Sequence, residues 1–297
     1  MIYSLLCFAF WGIADLFYKK ANNDKDKYSD IKTTIAVGII MGISATIFLF
    51  TSGHSIELSN MMHYIKSAIK YLPISACYIL SMFIGYKGLK YIELTISSPV
   101  QNTSGVITSL LLILFFREVL PYQAYIAFIL IFVGIFGVFL LEKKDKKIVK
   151  LSKKTKLLAI VFPLIYCLID GLGTFLDSVY IDKLEIISED LALVCYEYTF
   201  LAIAVALIIY LLYKKQKITL GRDHNMWIAA ILETIGQYFY VYAIGANSTI
   251  ATSIVGSYCI LSVILSSIFL KERLKPIKYV FLLLAIIGIV ILAVLDV

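Results

Sequence analysis

Charged residues are scarce in this sequence. Asp, Glu, Lys and Arg make up 16% of its 297 residues, whereas hydrophobic residues make up 61%. Because a soluble chain carries roughly a quarter charged residues, this composition excludes an ordinary soluble protein. The mean hydropathy is +0.90, and the connections between apolar segments are too short to form a separate soluble core. The chain is therefore predicted to be an integral membrane protein.

Catalytic and metal-binding motifs are also absent from the sequence. The three histidines, His54, His63 and His224, lie in or beside predicted loops, and neither H-E-x-x-H nor G-x-S-x-G occurs. The five cysteines lie within apolar segments without a C-x-x-C pair, a pattern typical of buried packing residues. We therefore expect no enzyme, no metal site and no cofactor. A structural or receptor protein is the alternative outside transport.

Positive charge exceeds negative charge, with a formal net charge of +7. All but four of the 27 lysines and arginines lie on one side of the predicted membrane topology, and the exceptions are Lys66, Lys70, Arg117 and Lys183. The run 143–156 alone holds eight lysines. The positive-inside rule then places this side in the cytoplasm and both termini outside, in a multi-pass protein of the plasma membrane. Scattered over separate loops, these residues suit anionic lipid headgroups better than nucleic acid.

The apolar segments are organised as two similar halves. An offset of 154 residues places Tyr86 on Tyr240 and Gly134 on Gly288 without a gap. Each half, 1–147 and 148–297, holds five segments of about 20 residues, the length that crosses a bilayer. Because five is odd, the second copy would enter the membrane inverted, as in many secondary transporters. We predict an all-α integral membrane fold of ten transmembrane helices in two inverted five-helix repeats. The segments are 2–21, 31–51, 69–90, 94–117, 121–142, 157–180, 190–213, 225–245, 249–271 and 275–296.

One pattern occurs in both halves: an apolar helix, a turn that contains Glu, and a helix that contains Gly. The letters that carry it are SSP at 97–99, FRE at 116–118, KER at 271–273 and, near the start of the chain, FWG at 10–12. This pattern resembles the EamA unit of the drug/metabolite transporter superfamily. The resemblance implies ten helices around a central substrate cavity. Members move amino acids, amines, nucleotide sugars and drugs, so the resemblance does not select a substrate.

Carboxylates at membrane depth are the main indication of function. Asp15 and Asp170 each lie about 13 residues into a segment, which is about 20 Å of helix, and Glu197 and Glu233 lie about 10 and 12 Å deep. A charged carboxylate at such depth costs at least a few kcal/mol, and Lys87 is the only candidate base nearby. A negative interior favours a cationic or zwitterionic substrate, a coupled proton, or both. Structural hydrogen bonding of each acid is the alternative.

Aromatic and amide side chains accompany these acids. Trp11 precedes Asp15 by four residues and Tyr166 precedes Asp170 by four, so each ring shares a helix face with an acid. Such faces suit amines and quaternary ammonium groups, although tyrosine and tryptophan also favour membrane interfaces. The residues predicted to bind substrate are Asp15, Asp170, Glu233, Trp11, Tyr166, Tyr86, Tyr240, Asn102 and Gln237. Those predicted for proton coupling are Glu197, Asp15 and Asp170.

These observations predict a secondary transporter that works by alternating access. The expected substrate is a small polar metabolite such as an amine, an organic cation or an amino acid, with proton coupling as an option. Two alternatives stay open, a broad-specificity drug or cation exporter and a flippase for a lipid-linked carrier. The partners expected are the small-molecule substrate and membrane lipids, with no nucleic acid. Two internal repeats already supply a pseudo-symmetric unit, so a monomer suffices.

Overall fold

The computed structural model describes residues 1–22, 26–51, 58–91, 93–117, 119–143, 153–216, 223–272 and 276–295, and these ranges contain helices and no strand. A π-helical turn, Val179–Lys183, follows the sixth α-helix. The α-helices in chain order are α1 Ile2–Ala21, α2 Ser29–Thr51, α3 Leu58–Leu89, α4 Leu94–Phe116, α5 Tyr122–Lys143, α6 Lys153–Ser178, α7 Glu189–Tyr213, α8 His224–Gly256, α9 Cys259–Phe269 and α10 Pro276–Leu295.

Long apolar helices account for most of the described chain. Seven helical stretches in the described ranges are long and apolar enough to cross a membrane. One of them, His224–Phe269, covers the predicted segment 225–245 and most of 249–271, and the shorter apolar stretches Tyr122–Gly137 and Pro276–Leu292 lie in α5 and α10. The structure therefore agrees with an all-α, multi-pass membrane protein. The number of ten spans stays a prediction.

The predicted segments 225–245 and 249–271 differ most from the observed helices. They are joined within α8, where Asn247 has non-helical backbone angles (φ −166°, ψ 91°). The Asn247 side chain accepts a hydrogen bond from the Ile250 N–H at 3.1 Å and so caps the second run. That run ends at Gly256 and resumes at Cys259 as α9. The prediction of one continuous helix over 249–271 was therefore wrong. The interruption contains no proline, so the sequence pattern did not indicate it.

Helices from the first half of the chain pack mainly on helices from the second half. The main pairs are α1 with α8, α2 with α7, α3 with α6, α4 with both α6 and α8, and α5 with α10. Glycine makes several of these approaches close. A Cβ atom on Gly38 would lie 2.5 Å from the Phe200 carbonyl oxygen, and one on Gly134 would lie 2.6 Å from the Phe281 carbonyl oxygen. Larger residues at these positions would force the helices apart.

Two groups of buried apolar side chains form the interior. The first lies mainly between α1, α2, α3, α7 and α8 and includes six tyrosines: Tyr18, Tyr71, Tyr78, Tyr86, Tyr196 and Tyr240. The second lies mainly between α4, α5, α8, α9 and α10. Its described buried members are aliphatic side chains, alanines, one cysteine and one phenylalanine, Phe128, and they include no tyrosine. The phenolic hydroxyls of the first group bring polar atoms into the interior.

Glu272 closes the start of α4, although it lies in the other half of the sequence. Its carboxylate accepts hydrogen bonds from the backbone N–H groups of Leu94 at 3.4 Å and Thr95 at 3.1 Å. An acid at a helix N-terminus is stabilised by the helix dipole and by the free N–H groups there. Glu118, Arg273 and half of the lysines of the run 143–156 lie outside the described residues.

Candidate functional site

A cavity lies between α1, α3, α4, α6, α7 and α8, and its empty volume is about 800 Å³ when its opening to solvent is included. Side chains that the sequence analysis did not propose also line it, among them Tyr18, Ser104 and Tyr196. All nine side chains predicted to bind substrate line it, and these are Trp11, Asp15, Tyr86, Asn102, Tyr166, Asp170, Glu233, Gln237 and Tyr240.

Serines from two other helices hold the Asp15 side chain. Its Oδ2 atom accepts hydrogen bonds from Ser98 Oγ of α4 at 2.6 Å and from Ser262 Oγ of α9 at 2.8 Å. The residue is 9% exposed. Because both serines reach the same oxygen and a carboxylate can accept about four hydrogen bonds, Asp15 keeps acceptor capacity for a ligand.

Asp170, which matches Asp15 in the other half within one position, is held less tightly. Its Oδ2 atom accepts from Ser104 Oγ at 2.8 Å, and its Oδ1 atom accepts from Ser81 Oγ at 3.4 Å. Asp170 is half-buried, and therefore more open than Asp15. Neither aspartate is paired with a basic side chain in its described contacts. The two acids therefore bring negative charge to the cavity from α1 and α6.

Glu233 and Trp11 form the wall between α1 and α8. The Glu233 carboxylate accepts from the Tyr18 hydroxyl at 3.3 Å, and its backbone carbonyl accepts from Trp11 Nε1 at 3.2 Å. The indole lies directly on the α8 backbone, because a Cβ atom on Gly236 would be 2.3 Å from Trp11 Cδ1. The same indole stacks on Tyr240 with ring centroids 5.1 Å apart. The wall is thus a carboxylate beside a fixed aromatic face.

The charge of the cavity is unbalanced. Asp15, Asp170 and Glu233 line it, and the described lining contains no lysine, arginine or histidine. Glu233 is close enough to both aspartates to be repelled by them. The one candidate base, Lys87, is exposed and does not line the cavity; its Nζ lies 5.9 Å from the Phe162 ring centroid. A cation or added protons would relieve this repulsion.

Three side-chain amides add hydrogen-bonding groups. The Nε2 atoms of Gln101 and Gln237 are buried and have no hydrogen-bond partner among the described residues. Asn102 is occupied in part, because its amide donates to the Ser98 carbonyl oxygen at 2.9 Å. Buried amide nitrogens without a partner are rare in folded proteins. Gln101 and Gln237 could therefore donate to a carbonyl, hydroxyl or carboxylate oxygen of a bound molecule.

Glu197, predicted as a proton-coupling residue, does not line the cavity. It is fully buried on α7, the helix that packs on α2, and Ser44 of α2 is its neighbour. Its predicted depth along the helix did not indicate which side of α7 it occupies. The structure therefore separates Glu197 from the three acids of the cavity.

The comparison with protein families decides the class of this chain. The model of the EamA-like transporter family matches residues 1–140 and 157–294. The chain belongs to the EamA-like transporter family. It is therefore a membrane transporter of the drug/metabolite type and not an enzyme, and its cargo is a small molecule.

Comparison with solved structures supports the fold of the transporter. A structure described as "Crystal structure of protein" matches with a TM-score of 0.62 over 99% of this chain and 97% of that one, at 12% sequence identity. At that identity the likeness concerns the fold alone. No curated protein gives a significant match.

Proposed function

We propose that the transporter moves a small cationic metabolite, most simply an amine or another organic cation, by alternating access. The observation that carries this proposal is the cavity charge: three carboxylates line it, and no basic side chain does so among the described residues. A cation is the ligand that such a site stabilises most. A free anion would meet only repulsion from these acids.

The aromatic and amide groups refine the substrate class. Trp11 and Tyr240 present stacked rings beside Glu233, and a ring face attracts ammonium groups within about 6 Å. The unpartnered amides of Gln101 and Gln237 suit an oxygen on the same substrate. An amino acid therefore stays within the proposed class, with its ammonium group on the acids and its carboxylate on the amides.

Alternating access rests on the proposed repeats, residues 1–147 and 148–297. Helices that are equivalent by sequence pack together, α2 on α7 and α5 on α10, as expected for two halves around a pseudo-two-fold axis. Rocking of one repeat against the other would expose the cavity to each side in turn. Such a unit needs no second copy. The proposed setting is the plasma membrane, with both termini outside as the lysine distribution favours.

Proton coupling is part of the proposal. Asp15 and Asp170 line the cavity, so a proton and a cationic substrate would compete for the same carboxylates. Glu197 is a second candidate, buried away from the cavity. Competition between proton and substrate for one set of acids is sufficient to link their movements in opposite directions.

The alternatives differ in the cargo they need. A broad-specificity cation exporter would use the same cavity and differ only in its tolerance of bulky cations. A flippase for a lipid-linked carrier needs lateral access from the bilayer. A groove between α2 and α8 does face outward, with Ile43, Ile47 and Tyr238 among its lining residues, but it shares no described lining residue with the cavity. This separation favours a water-soluble cargo.

The test is uptake by proteoliposomes. Labelled amines, amino acids and choline-like cations are compared for wild type, for the paired variant Asp15→Asn with Asp170→Asn, and for Asp190→Asn. Asp190 is a matched control outside the cavity, where it accepts from the Tyr242 hydroxyl. We expect saturable cation uptake that only the paired variant loses. Uptake that survives in the paired variant would make these acids structural, and uptake restricted to anions or lipid-linked cargo would reject the proposal.

A further inference from the structure

A fully buried carboxylate, Asp177, lies next to the cavity without lining it. Asp177 is 0% exposed and lies near the end of α6. Its Oδ1 atom accepts from the Tyr71 hydroxyl at 2.5 Å, and its Oδ2 atom accepts from the Tyr78 hydroxyl at 3.3 Å. The substrate-binding proposal makes no use of this acid. A buried acid in a membrane, bound only by neutral hydroxyls, is a functional candidate by its energetic cost.

The two tyrosines differ in their further hydrogen bonds. Tyr71 is itself 0% exposed, and its described hydrogen bond ends at Asp177. Tyr78 continues to Tyr240, because their hydroxyl oxygens are 2.6 Å apart. Both Tyr78 and Tyr240 line the cavity, whereas Tyr71 does not. Within the described residues, a hydrogen-bonded path from Asp177 to the cavity therefore runs through Tyr78, and Tyr240, which neighbours both Tyr78 and Asp177, lies at its cavity end.

No cation faces Asp177 in the described surroundings. The helices packed on α6 are α3, α4 and α8. From α4, the hydroxyls of Ser104 and Thr108 donate to Asp170 and to the Gly171 carbonyl oxygen of α6. From α7, Tyr196 lies near Asp177. In the π-helical turn that follows, Lys183 is paired with Asp182 at 2.7 Å. The titratable groups that face Asp177 are Tyr71 and Tyr78 of α3, Tyr240 of α8 and Tyr196 of α7. Asp170 of α6 lies near the same Tyr78.

We propose that Asp177 is a proton site of the transport cycle and that Tyr78 and Tyr240 connect it to the cavity. A proton from cavity water or from the substrate binds the Tyr240 oxygen as Tyr240 gives its own proton to Tyr78. Tyr78 in turn gives its proton to Asp177 Oδ2, and release reverses each transfer. Each tyrosine ends neutral, so only the carboxylate changes charge. This site would hold a proton without displacing the substrate from Asp15, Asp170 or Glu233.

The inference rests on the proposed cation transport, so the experiment measures two activities of the full-length protein in proteoliposomes. The first is exchange of labelled for unlabelled substrate at equal pH, which needs no net proton movement. The second is accumulation driven by a gradient of one pH unit, in both directions, with the membrane potential clamped at zero. For one coupled proton, such a gradient supports at most about a tenfold accumulation, because both represent the same free energy.

For Asp177→Asn we expect exchange to persist while gradient-driven accumulation falls clearly below the wild-type ratio, and the accumulation that remains reflects competition at Asp15 and Asp170. Tyr78→Phe should lower accumulation relative to the exchange measured for the same variant, since it removes the hydroxyl that joins Asp177 Oδ2 to Tyr240. Tyr71→Phe is the matched control, because it also removes one hydroxyl from Asp177 but leaves the path intact, and it should keep accumulation.

Four outcomes decide the matter. Accumulation retained in both Asp177→Asn and Tyr78→Phe overturns the inference, and so does an equal loss in Tyr78→Phe and Tyr71→Phe. If Asp177→Asn does not fold, a selective loss in Tyr78→Phe relative to Tyr71→Phe supports the inference. No cation exchange by wild type rejects the proposed function instead, which separates that failure from the failure of the proton site.

Discussion

The cavity region and the α5–α10 region show two ways to fill the interior of a membrane protein. Around the cavity, tyrosine hydroxyls, serines and three carboxylates form hydrogen bonds among six helices. Between α5 and α10, glycine and small side chains allow the backbones to approach, and the buried apolar side chains of this cluster are aliphatic except for Phe128. The first region is held by directed polar contacts, and the second by close packing. Added bulk should therefore damage the second region most, and lost charge the first.

The largest expected effect is that of Gly134→Leu on folding. A Cβ atom at position 134 would be 2.6 Å from both the Ala285 Cβ and the Phe281 carbonyl oxygen, so α5 and α10 must separate. Overpacking of this kind costs typically 1–3 kcal/mol, and occasionally more. We expect a lower melting temperature and less monodisperse protein on size-exclusion chromatography. Val133→Leu, one residue away on an exposed surface, should leave both unchanged; equal damage by the two variants would contradict the packing argument.

The second effect in size is that of Glu233→Gln on cation uptake. The substitution keeps the shape of the side chain and removes the charge beside Trp11. Hydrogen bonds to charged groups contribute about 1.5–3 kcal/mol, and every 1.4 kcal/mol is a factor of ten. We therefore expect apparent affinity for cations to fall about 10-fold to 100-fold, measured as the substrate dependence of uptake. An unchanged melting temperature would separate this variant from Gly134→Leu, and unchanged affinity would remove Glu233 from the binding site.

Gly236→Ala should give a smaller effect within the cavity. The added methyl group would lie 2.3 Å from Trp11 Cδ1, so the indole must leave the α8 backbone and lose its stacking on Tyr240. Aromatic pairs contribute about 0.5–1.5 kcal/mol beyond their buried area. We expect the affinity for cations that bind to aromatic ring faces to fall about 2-fold to 10-fold. The measurement is the quenching of tryptophan fluorescence on titration with the cation. Ala243→Ser, also buried on α8 but outside the cavity lining, is the control.

The smallest effect is expected for Glu197→Gln. This acid is buried between α7 and α2 and does not line the cavity, so loss of its charge should change apparent substrate affinity by less than about twofold. The measurement is uptake with and without a pH gradient. Loss of the dependence on the pH gradient in this variant alone would assign proton coupling to Glu197. The contact between α2 and α7 would then take part in the transport cycle.

The sequence contained most of the site but not its connections. Depth, four-residue spacing, the repeat match of Tyr86 with Tyr240 and the polarity of Asn102 together selected nine side chains that all line one cavity. Their role in binding stays a prediction. Helical spacing could not reveal that Ser98 and Ser262 share one oxygen of Asp15, because they come from helices that are distant in sequence. For the same reason, the sequence placed Asp177 near a helix end without its tyrosine partners.

The fold was predicted to a similar extent. Apolar length identified the membrane-spanning character of the chain, and the family match agrees with the EamA resemblance. The interruption between Gly256 and Cys259 escaped prediction, because its residues are ordinary apolar and small ones that also form continuous helices. Backbone breaks of this kind depend on the neighbouring helix, and here that neighbour is α4.

At that neighbour, the backbones of α4 and α8 touch. A Cβ atom on Gly105 would lie 2.3 Å from the Thr252 carbonyl oxygen and 3.1 Å from the Gly256 Cα. At such a close crossing there is no room for a side chain between the two backbones, so a larger residue at position 105 would force α4 and α8 apart. The link at 257–258 follows the crossing directly, and beyond the link α9 carries Ser262, which holds Asp15. Under the proposed rocking of the two repeats, any displacement of α9 relative to α1 would break the Ser262–Asp15 hydrogen bond, so the hydrogen bonding of the Asp15 carboxylate would change with the position of α9.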